Sequence, residues 1–209
     1  MAFNLFCPFI QMLEKGMVRE VSKIFQTVFP EIGIKVVTEV GLEFLHTDVE
    51  NYLNDRTAMD AIVRYIDTDD KPSFIAIETK YTDILGVNTG IGKTRYNEWI
   101  KRLGVFKPET EESLLRGVKP VSQIYRNFLL TESYGIMEKA HRFYSVVLSP
   151  ALHPTTKEEV ASLRDELKPE YRNKVFSVSI EDFIKCTLAV CPIEEKAPFV
   201  YFSNRYCMY

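Results

Sequence analysis

The first part of the chain shows a helical and then an extended pattern of apolar residues. In residues 8–28 the apolar positions recur at close to helical spacing, which predicts one helix. Gly16 interrupts this pattern but is not expected to end the helix, and Pro30 follows the helix end. Residues 34–40 are rich in β-branched side chains, which favour a strand.

Two further strands are predicted at residues 57–66 and 73–81, where apolar residues again predominate. Residues 67–72 between them are rich in turn formers. A connection this short joins neighbouring strands as a hairpin, so we expect the pair to be antiparallel.

The second half of the chain continues with helices and strands. Their predicted order is a helix at 121–140, a strand at 143–148, a helix at 155–167, a strand at 175–178 and a helix at 180–190. This mixture predicts an α/β fold, in which helices flank both faces of a mixed β-sheet. We expect one domain over residues 1–209, with its core at about 10–150 and a C-terminal embellishment at 151–209.

Charged side chains interrupt the two hairpin strands. Asp60 lies within the first strand, and Glu78 and Lys80 follow the apolar residues of the second. Because strand side chains alternate between faces, Glu78 and Lys80 project from the same face of the sheet. Both faces of this strand are apolar before Glu78, so we expect a central strand that carries a partly buried charged pair.

Two carboxylates and a lysine at one sheet edge suit metal-assisted hydrolysis of a phosphodiester. Mg²⁺, or Mn²⁺ in its place, takes oxygen ligands, which Asp60, Glu78 and the backbone carbonyl of Thr79 would supply. Lys80 would steer the attacking water and stabilise the charge that develops on the phosphoryl group. The alternative at this point is a set of solvated charges or a surface salt bridge of little energetic value.

Composition restricts the classes of function without choosing among them. The net charge of −3 argues against a protein that coats nucleic acid broadly, but permits an enzyme with a local binding groove. The four cysteines form no Cys-x-x-Cys pair, which favours reduced thiols in a cytoplasmic protein. The chain has no membrane-length apolar run and no signal-peptide pattern, so no membrane partner is expected.

Residues 86–120 differ from the rest of the chain because they are rich in glycine and basic residues. This composition predicts a mobile, positively charged excursion over the active face. Basic side chains contact the phosphates of nucleic acid. The candidates for this role in the excursion are Lys93, Arg95, Lys101 and Arg102. Tyr96 and Trp99 lie among them and would either stack on bases or, as is commoner, pack inward from a helix.

Three segments together resemble a known family. They are Arg56-Thr-Ala-Met-Asp60, Ile77-Glu-Thr-Lys-Tyr81 and Ser122-Gln-Ile-Tyr-Arg-Asn127. An Asp followed by Glu-x-Lys on a hairpin after an N-terminal helix is similar to the PD-(D/E)XK nuclease superfamily. The three segments in this order are similar to one bacterial branch of it, a group described as restriction endonucleases. The resemblance covers about residues 10–150, and Met59 stands where the name-giving proline would be.

The resemblance implies a restriction-endonuclease-like fold (αβββαβ) and a metal-dependent endonuclease whose substrate is DNA. It implies metal-ligand roles for Asp60 and Glu78 and a catalytic role for Lys80. It also points to Gln123, on the helix behind the site, as a residue that orients water or phosphate. Arg126 shares that side of the helix and is a further candidate for nucleic-acid binding, although an ordinary polar helix face is an equal alternative for both.

The resemblance suggests additional metal ligands as well. Many such folds place a glutamate of the first helix near the metals, and Glu20 is the candidate here; Glu39 in the first strand is comparable. Structural or surface roles are the more common ones for such residues.

Two other classes of function compete with the nuclease. One is a catalytically inactive nucleic-acid-binding or structural module that retains the fold, and the other is an unrelated α/β interaction domain with a coincidental motif. The intact Asp60, Glu78 and Lys80 favour the enzyme. Cutting of both DNA strands by this fold commonly needs two active sites, so a homodimer is expected by analogy.

Overall fold

The computed structural model describes residues 1–44, 52–53, 58–82, 87–88, 93–119 and 121–207. Its helices are α1 (Ala2–Glu14), α2 (Val18–Val28), α3 (Lys93–Leu103), α4 (Pro108–Leu115), α5 (Gln123–Met137), α6 (Thr156–Glu166), α7 (Ile180–Val190) and α8 (Ala197–Tyr206). Its strands are β1 (Ile34–Phe44), β2 (Met59–Asp67), β3 (Pro72–Thr79), β4 (Val87–Asn88), β5 (Val121–Ser122), β6 (Phe143–Ser149) and β7 (Val175–Ser179). None of the helices in these ranges combines the length and apolar character that a membrane crossing requires.

The main sheet has five strands in the order β1-β2-β3-β6-β7. The pairs β1–β2 and β2–β3 are antiparallel, whereas β3–β6 and β6–β7 are parallel. The predicted hairpin is confirmed, and β3 is the central strand, as the apolar residues on both its faces indicated. The result is the mixed α/β architecture expected for a restriction-endonuclease-like fold.

Alternation along β3 divides the interior into two cores. Phe74 and Ala76 pack on one face with residues of α3, α5 and α6. Ile75 and Ile77 pack on the other face with residues of α1, α2, α7 and α8. Glu78 continues the series of Phe74 and Ala76, so its side chain projects toward the face that α5 covers.

The N-terminal region differs from the prediction of one helix. Two helices, α1 and α2, are separated at Gly16, whose φ of +79° lies in the left-handed region that glycine adopts most easily. The expectation that Gly16 would not end the helix was therefore wrong. The apolar pattern alone does not reveal such a break because both helices turn their apolar faces to the same core.

The expected mobile excursion contains two packed helices, α3 and α4. Trp99, Ile100 and Phe106 are nearly fully buried in the core on the α5 side of the sheet. The amphipathic pattern of α3 explains this packing, because the apolar face of a helix is stabilised when it leaves water.

The C-terminal region contributes directly to the sheet and its packing. Strand β7 pairs with β6, and Phe183 of α7 and Phe199 of α8 have no exposed surface. Phe9 of α1 contacts both rings, with centroid distances of 6.2 and 4.8 Å. The two ends of the chain therefore share one core.

Candidate active site

The hairpin register brings Asp60 and Glu78 to the same end of neighbouring strands. Ala61 pairs with Ile77 across β2 and β3, so the next step of the register places Asp60 opposite Glu78. Lys80 follows β3 directly, and its backbone N–H donates to the Leu148 carbonyl of β6 at 2.7 Å. Both neighbours of β3 thus hold the Glu-x-Lys segment in place.

Glu78 and Lys80 form a buried ion pair. The Lys80 ammonium lies 2.8 Å from Glu78 Oε1, and each residue is 7% exposed. Gln123, the first residue of α5, donates from Nε2 to the same oxygen at 2.7 Å. The contact between Gln123 and the Glu-x-Lys segment joins residues 45 positions apart in the chain.

Asp60 is oriented by the backbone and side chain of the strand beside it. Its Oδ2 accepts hydrogen bonds from the Thr79 N–H at 2.8 Å and from the Thr79 hydroxyl at 2.7 Å. Asp60 is half-buried. These contacts hold the carboxylate at the end of the hairpin, and the role of the Thr79 carbonyl as a metal ligand stays a prediction.

The site holds two carboxyl groups and one ammonium group. Burial raises the pKa of Glu78, and repulsion from the Asp60 carboxylate raises it further, while hydrogen bonding and attraction from Lys80 lower it. With all three groups ionised, two negative charges accompany one positive charge. A divalent cation held by carboxylate oxygens would relieve this excess, so the donor set suits a hard metal ion such as Mg²⁺ or Mn²⁺.

The next turn of α5 adds two polar groups. A side-chain hydrogen bond from Asn127 lowers the pKa of Glu78. Arg126 Nε and Asn127 Oδ1 are buried, and neither has a hydrogen-bond partner within the described part of the chain. Asn127 was not among the candidates from sequence, although its position four residues after Gln123 places it on the same helix face.

Glu20 and Glu39, the two additional metal-ligand candidates, lie apart from this group. Glu20 is in the first turn of α2, a helix that packs on the opposite face of the sheet from Glu78. Glu39 pairs with Arg64 of β2 at 3.3 Å. Within the described ranges, neither glutamate joins Asp60 and Glu78 in a group whose ligand atoms all lie within 4.8 Å of one another.

The basic residues of α3 have different surroundings. Arg95 donates from Nε to the Tyr52 carbonyl at 3.1 Å and pairs with Glu98 at 2.7 Å. Lys101 and Arg102 are exposed, and the Arg102 guanidinium lies 4.5 Å from the centroid of the Trp99 ring. The side chain of Lys93 lies outside the described residues.

The aromatic residues of α3 belong to the core. Tyr96 is 5% exposed and Trp99 is 2% exposed, and the Trp99 indole N–H donates to the Tyr52 carbonyl at 2.9 Å. The alternative in which these side chains pack inward is therefore confirmed. Because the rings are buried, they are not available to stack on bases in this arrangement.

A second group able to hold a metal ion lies at the hairpin turn. Ligand atoms of Asp67, Asp69 and His141 lie within 4.8 Å of one another. Asp67 is fully buried and accepts hydrogen bonds from two backbone N–H groups of the turn, and Arg142 pairs with Asp69 at 2.6 Å. These contacts stabilise the hairpin turn, and this role explains why the three side chains lie together.

This turn cluster is distant from the carboxylates at the other end of the hairpin. Asp67 follows Asp60 by seven residues along β2, which corresponds to about 23 Å of extended strand. The sequence signalled it only as a run of turn-forming residues at 67–72.

Comparison with known proteins agrees with this geometry. Residues 1–208 match the family model of the PD-(D/E)XK nuclease superfamily. No curated protein and no solved structure gave a match to this chain. The match covers nearly the whole chain, including the hairpin that carries Asp60, Glu78 and Lys80, and nucleases of this superfamily use divalent metal ions. This chain therefore belongs to the PD-(D/E)XK nuclease superfamily, and its five-stranded mixed sheet is consistent with the restriction-endonuclease-like fold.

Proposed function

We propose that this protein is a Mg²⁺-dependent endodeoxyribonuclease with Asp60, Glu78 and Lys80 at its active site. The observation that carries the proposal is the group at the end of β2 and β3, in which the half-buried Asp60 carboxylate lies next to the buried Glu78–Lys80 ion pair. A site with excess negative charge favours a cation.

Asp60 and Glu78 would hold the metal, and Thr79 would add its backbone carbonyl. When bound there, a divalent cation polarises a phosphoryl oxygen and lowers the pKa of a water molecule. Asp60 retains Oδ1 for this purpose while Thr79 holds Oδ2. Gln123 limits the rotation of the Glu78 carboxylate by its hydrogen bond to Oε1.

Lys80 would act on the water and on the phosphate. An ammonium group has three donors, and one of them is directed to Glu78 Oε1. The others would orient the attacking water and stabilise charge on the phosphoryl oxygens. The water oxygen bonds to phosphorus, the bond to the leaving oxygen breaks, and a proton is transferred to that oxygen or to solvent.

Arg126 is the basic residue whose surroundings best suit contact with a DNA phosphate. It lies on the Gln123 side of α5, and its Nε has no hydrogen-bond partner in the described ranges. An unpartnered buried donor gains free energy from an anionic acceptor. Lys101 and Arg102 are exposed and would contribute to a wider contact, whereas Arg95 is held by Glu98 and the Tyr52 carbonyl.

Cleavage of supercoiled plasmid DNA tests the proposal. The wild type should nick or cut the plasmid with Mg²⁺ or Mn²⁺ and not with a chelator. Removal of the Lys80 ammonium in Lys80→Ala should lower the rate at least about 10²–10³-fold. Lys35→Ala is the control, because Lys35 forms an exposed pair with Asp70 away from the site.

Two results would contradict the proposal. Unchanged cleavage by Lys80→Ala would exclude the assigned mechanism. A wild-type protein that binds DNA but cleaves no form of DNA or RNA with either metal would favour the inactive binding module.

Linearised product formed without a nicked intermediate would support the homodimer that we propose for two-strand cleavage.

A further inference from the structure

The main sheet has two edges of different character. Strand β1 forms one edge and β7 forms the other. The β1 edge carries Lys35, Glu39 and Glu43, and its pairing with β2 has two register shifts. Charged side chains and bulges prevent an edge strand from pairing with another chain. The β1 edge is therefore protected.

The β7 edge has none of these protective features. Its five residues, Val175-Phe-Ser-Val-Ser179, include no charged residue and no proline, and its pairing with β6 has no register shift. The four residues after Val175 are partly exposed. Within the described part of the chain, β6 is the only strand that pairs with β7. The outer backbone N–H and C=O groups of β7 are therefore open to pairing with a further strand.

A groove of about 380 Å³ lies beside this open edge. Phe29, Tyr144 and Phe176 line it, and the Phe176 ring centroid lies 6.1 Å from that of Phe29 and 6.3 Å from that of Tyr144. Arg164 of α6 also lines the groove, although α6 and α2 pack on opposite faces of the sheet. The groove thus extends around the edge of β7. Tyr144 and Phe176 are partly exposed, so a strand added at this edge would bury apolar surface as well as pair the backbone.

The two ends of β7 carry charges of opposite sign. Pro169–Lys174 before the strand has two basic residues and one acidic residue, whereas the first turn of α7 after the strand has Glu181 and Asp182. In an antiparallel pair of identical strands, the start of each strand lies beside the end of the other. Two copies of this chain would therefore bring Arg172 of each copy toward Asp182 of the other, which favours association.

We propose that β7 is a self-association surface, through which two copies of this chain join their sheets into one continuous sheet. The two β7 strands pair antiparallel about a two-fold axis at Ser177. Phe176 of each copy then lies opposite Val178 of the other. The pairing satisfies the outer backbone groups of β7 and covers the groove beside it.

This surface is separate from the proposed active site, because β6 lies between β7 and β3. The paired β7 strands run in opposite directions, so the carboxyl ends of the two β3 strands would point to opposite edges of the joined sheet. The β7 interface is therefore an assembly contact, distinct from the pairing of active sites that cleavage of both strands at one position needs. The inference goes beyond the proposed function and does not depend on it.

The test measures molar mass by size-exclusion chromatography with light scattering, on the full chain without DNA or metal. The wild type should be a dimer at micromolar concentration. Ser177→Lys places two lysines beside each other at the two-fold axis. Because like charges across an interface are strongly unfavourable, its dissociation constant should rise at least about 100-fold. A wild type that is monomeric at every concentration would overturn the proposal.

Thr38→Lys is the matched control. Thr38 is an exposed residue of β1, so this variant adds the same charge to the protected edge of the sheet. It should keep the molar mass of the wild type. Loss of the dimer in both variants would show that the added charge acts at either edge, which contradicts the proposal.

Mixing two variants tests the register at Ser177. Ser177→Glu alone should also be monomeric, because two carboxylates then meet at the axis. An equimolar mixture of Ser177→Lys and Ser177→Glu should recover a dimer, since each lysine then faces a glutamate. Variants that are merely damaged would not recover the dimer on mixing.

A second variant covers the case in which Ser177→Lys fails to fold. Arg172→Glu places a carboxylate near Asp182 of the second copy and should weaken the dimer at least about tenfold. A wild-type dimer that these variants leave intact would lie on another surface, and the role of β7 would be refuted. Neither result bears on the proposed nuclease, which the plasmid assay tests by cleavage.

Discussion

Two glutamate–lysine pairs with a buried carboxyl group involve α5, and they differ in what surrounds them. Glu78 and Lys80 are 2.8 Å apart, and Glu132 and Lys174 are 2.9 Å apart. Burial raises the pKa of both glutamates, and that of Glu132 reaches about 7. A buried carboxyl group with a lysine partner therefore occurs both at the candidate active site (Glu78) and outside it (Glu132).

The difference lies in the additional groups. Among the described residues, Lys174 lowers the pKa of Glu132 by its charge and its hydrogen bonds, while burial raises it. The Lys174 ammonium also lies 3.7 Å from the centroid of the Phe143 ring. Glu78 has in addition the repulsion of Asp60 and a hydrogen bond from Gln123. Glu132 has one cationic partner, whereas Glu78 has a second carboxylate beside its lysine, and a metal ion would compensate the charge of the two carboxylates.

The largest expected effect on stability comes from breaking the Glu132–Lys174 pair. Lys174→Ala leaves the buried Glu132 carboxyl group without its partner, which should lower the free energy of unfolding by about 1–3 kcal/mol. Denaturant unfolding measures this loss. Lys35→Ala is the control, because Lys35 and Asp70 form an exposed pair, and its effect should stay below about 1 kcal/mol. Equal losses of unfolding free energy in both variants would show that the burial of Glu132 does not determine the size of the effect.

Glu132 should also make stability depend on pH. Its pKa is about 7 in the folded protein against an ordinary value of 4.5, so between these values the folded state binds more protons than the unfolded state. The free energy of unfolding should therefore fall as pH rises through this window, by up to about 3 kcal/mol. Stability curves from pH 4.5 to 7.5 should lose this slope in Glu132→Gln and retain it in Glu158→Gln, which changes an exposed residue. An identical slope in all three proteins would contradict the assignment.

The smallest effect is expected from neutralising the site with excess charge. In a chelator, Asp60→Asn removes the repulsion on Glu78 and keeps the Glu78–Lys80 pair, so it should raise the free energy of unfolding by about 1 kcal/mol, or about 2–4 °C in Tm. Added Mn²⁺ should raise the Tm of the wild type and not that of the variant, because only the former binds the metal tightly. A variant less stable than the wild type in chelator would show that the repulsion from Asp60 does not destabilise the Glu78–Lys80 pair.

Much of this fold follows from local patterns. The β-branched and apolar runs predicted β1, β2, β3, β6 and β7, and the turn formers at 67–72 predicted the hairpin, because strand patterns and turn chemistry are properties of neighbouring residues. The helix break at Gly16 was missed, since a left-handed glycine is compatible with an uninterrupted apolar stripe. The start of α5 at Gln123 was also misplaced by two residues, because Val121 and Ser122 pair with β4.

The sequence by itself determined that Glu78 and Lys80 share a face of a central strand and that Asp60 belongs to the strand before it. Alternation and a short turn suffice for that, and both act over a few residues. Only the tertiary structure decided which distant groups complete the site. It brought Gln123 to Glu78, buried Trp99 in the core, and held Glu39 against Arg64. Such contacts depend on how helices pack on the sheet, and no local pattern specifies that packing.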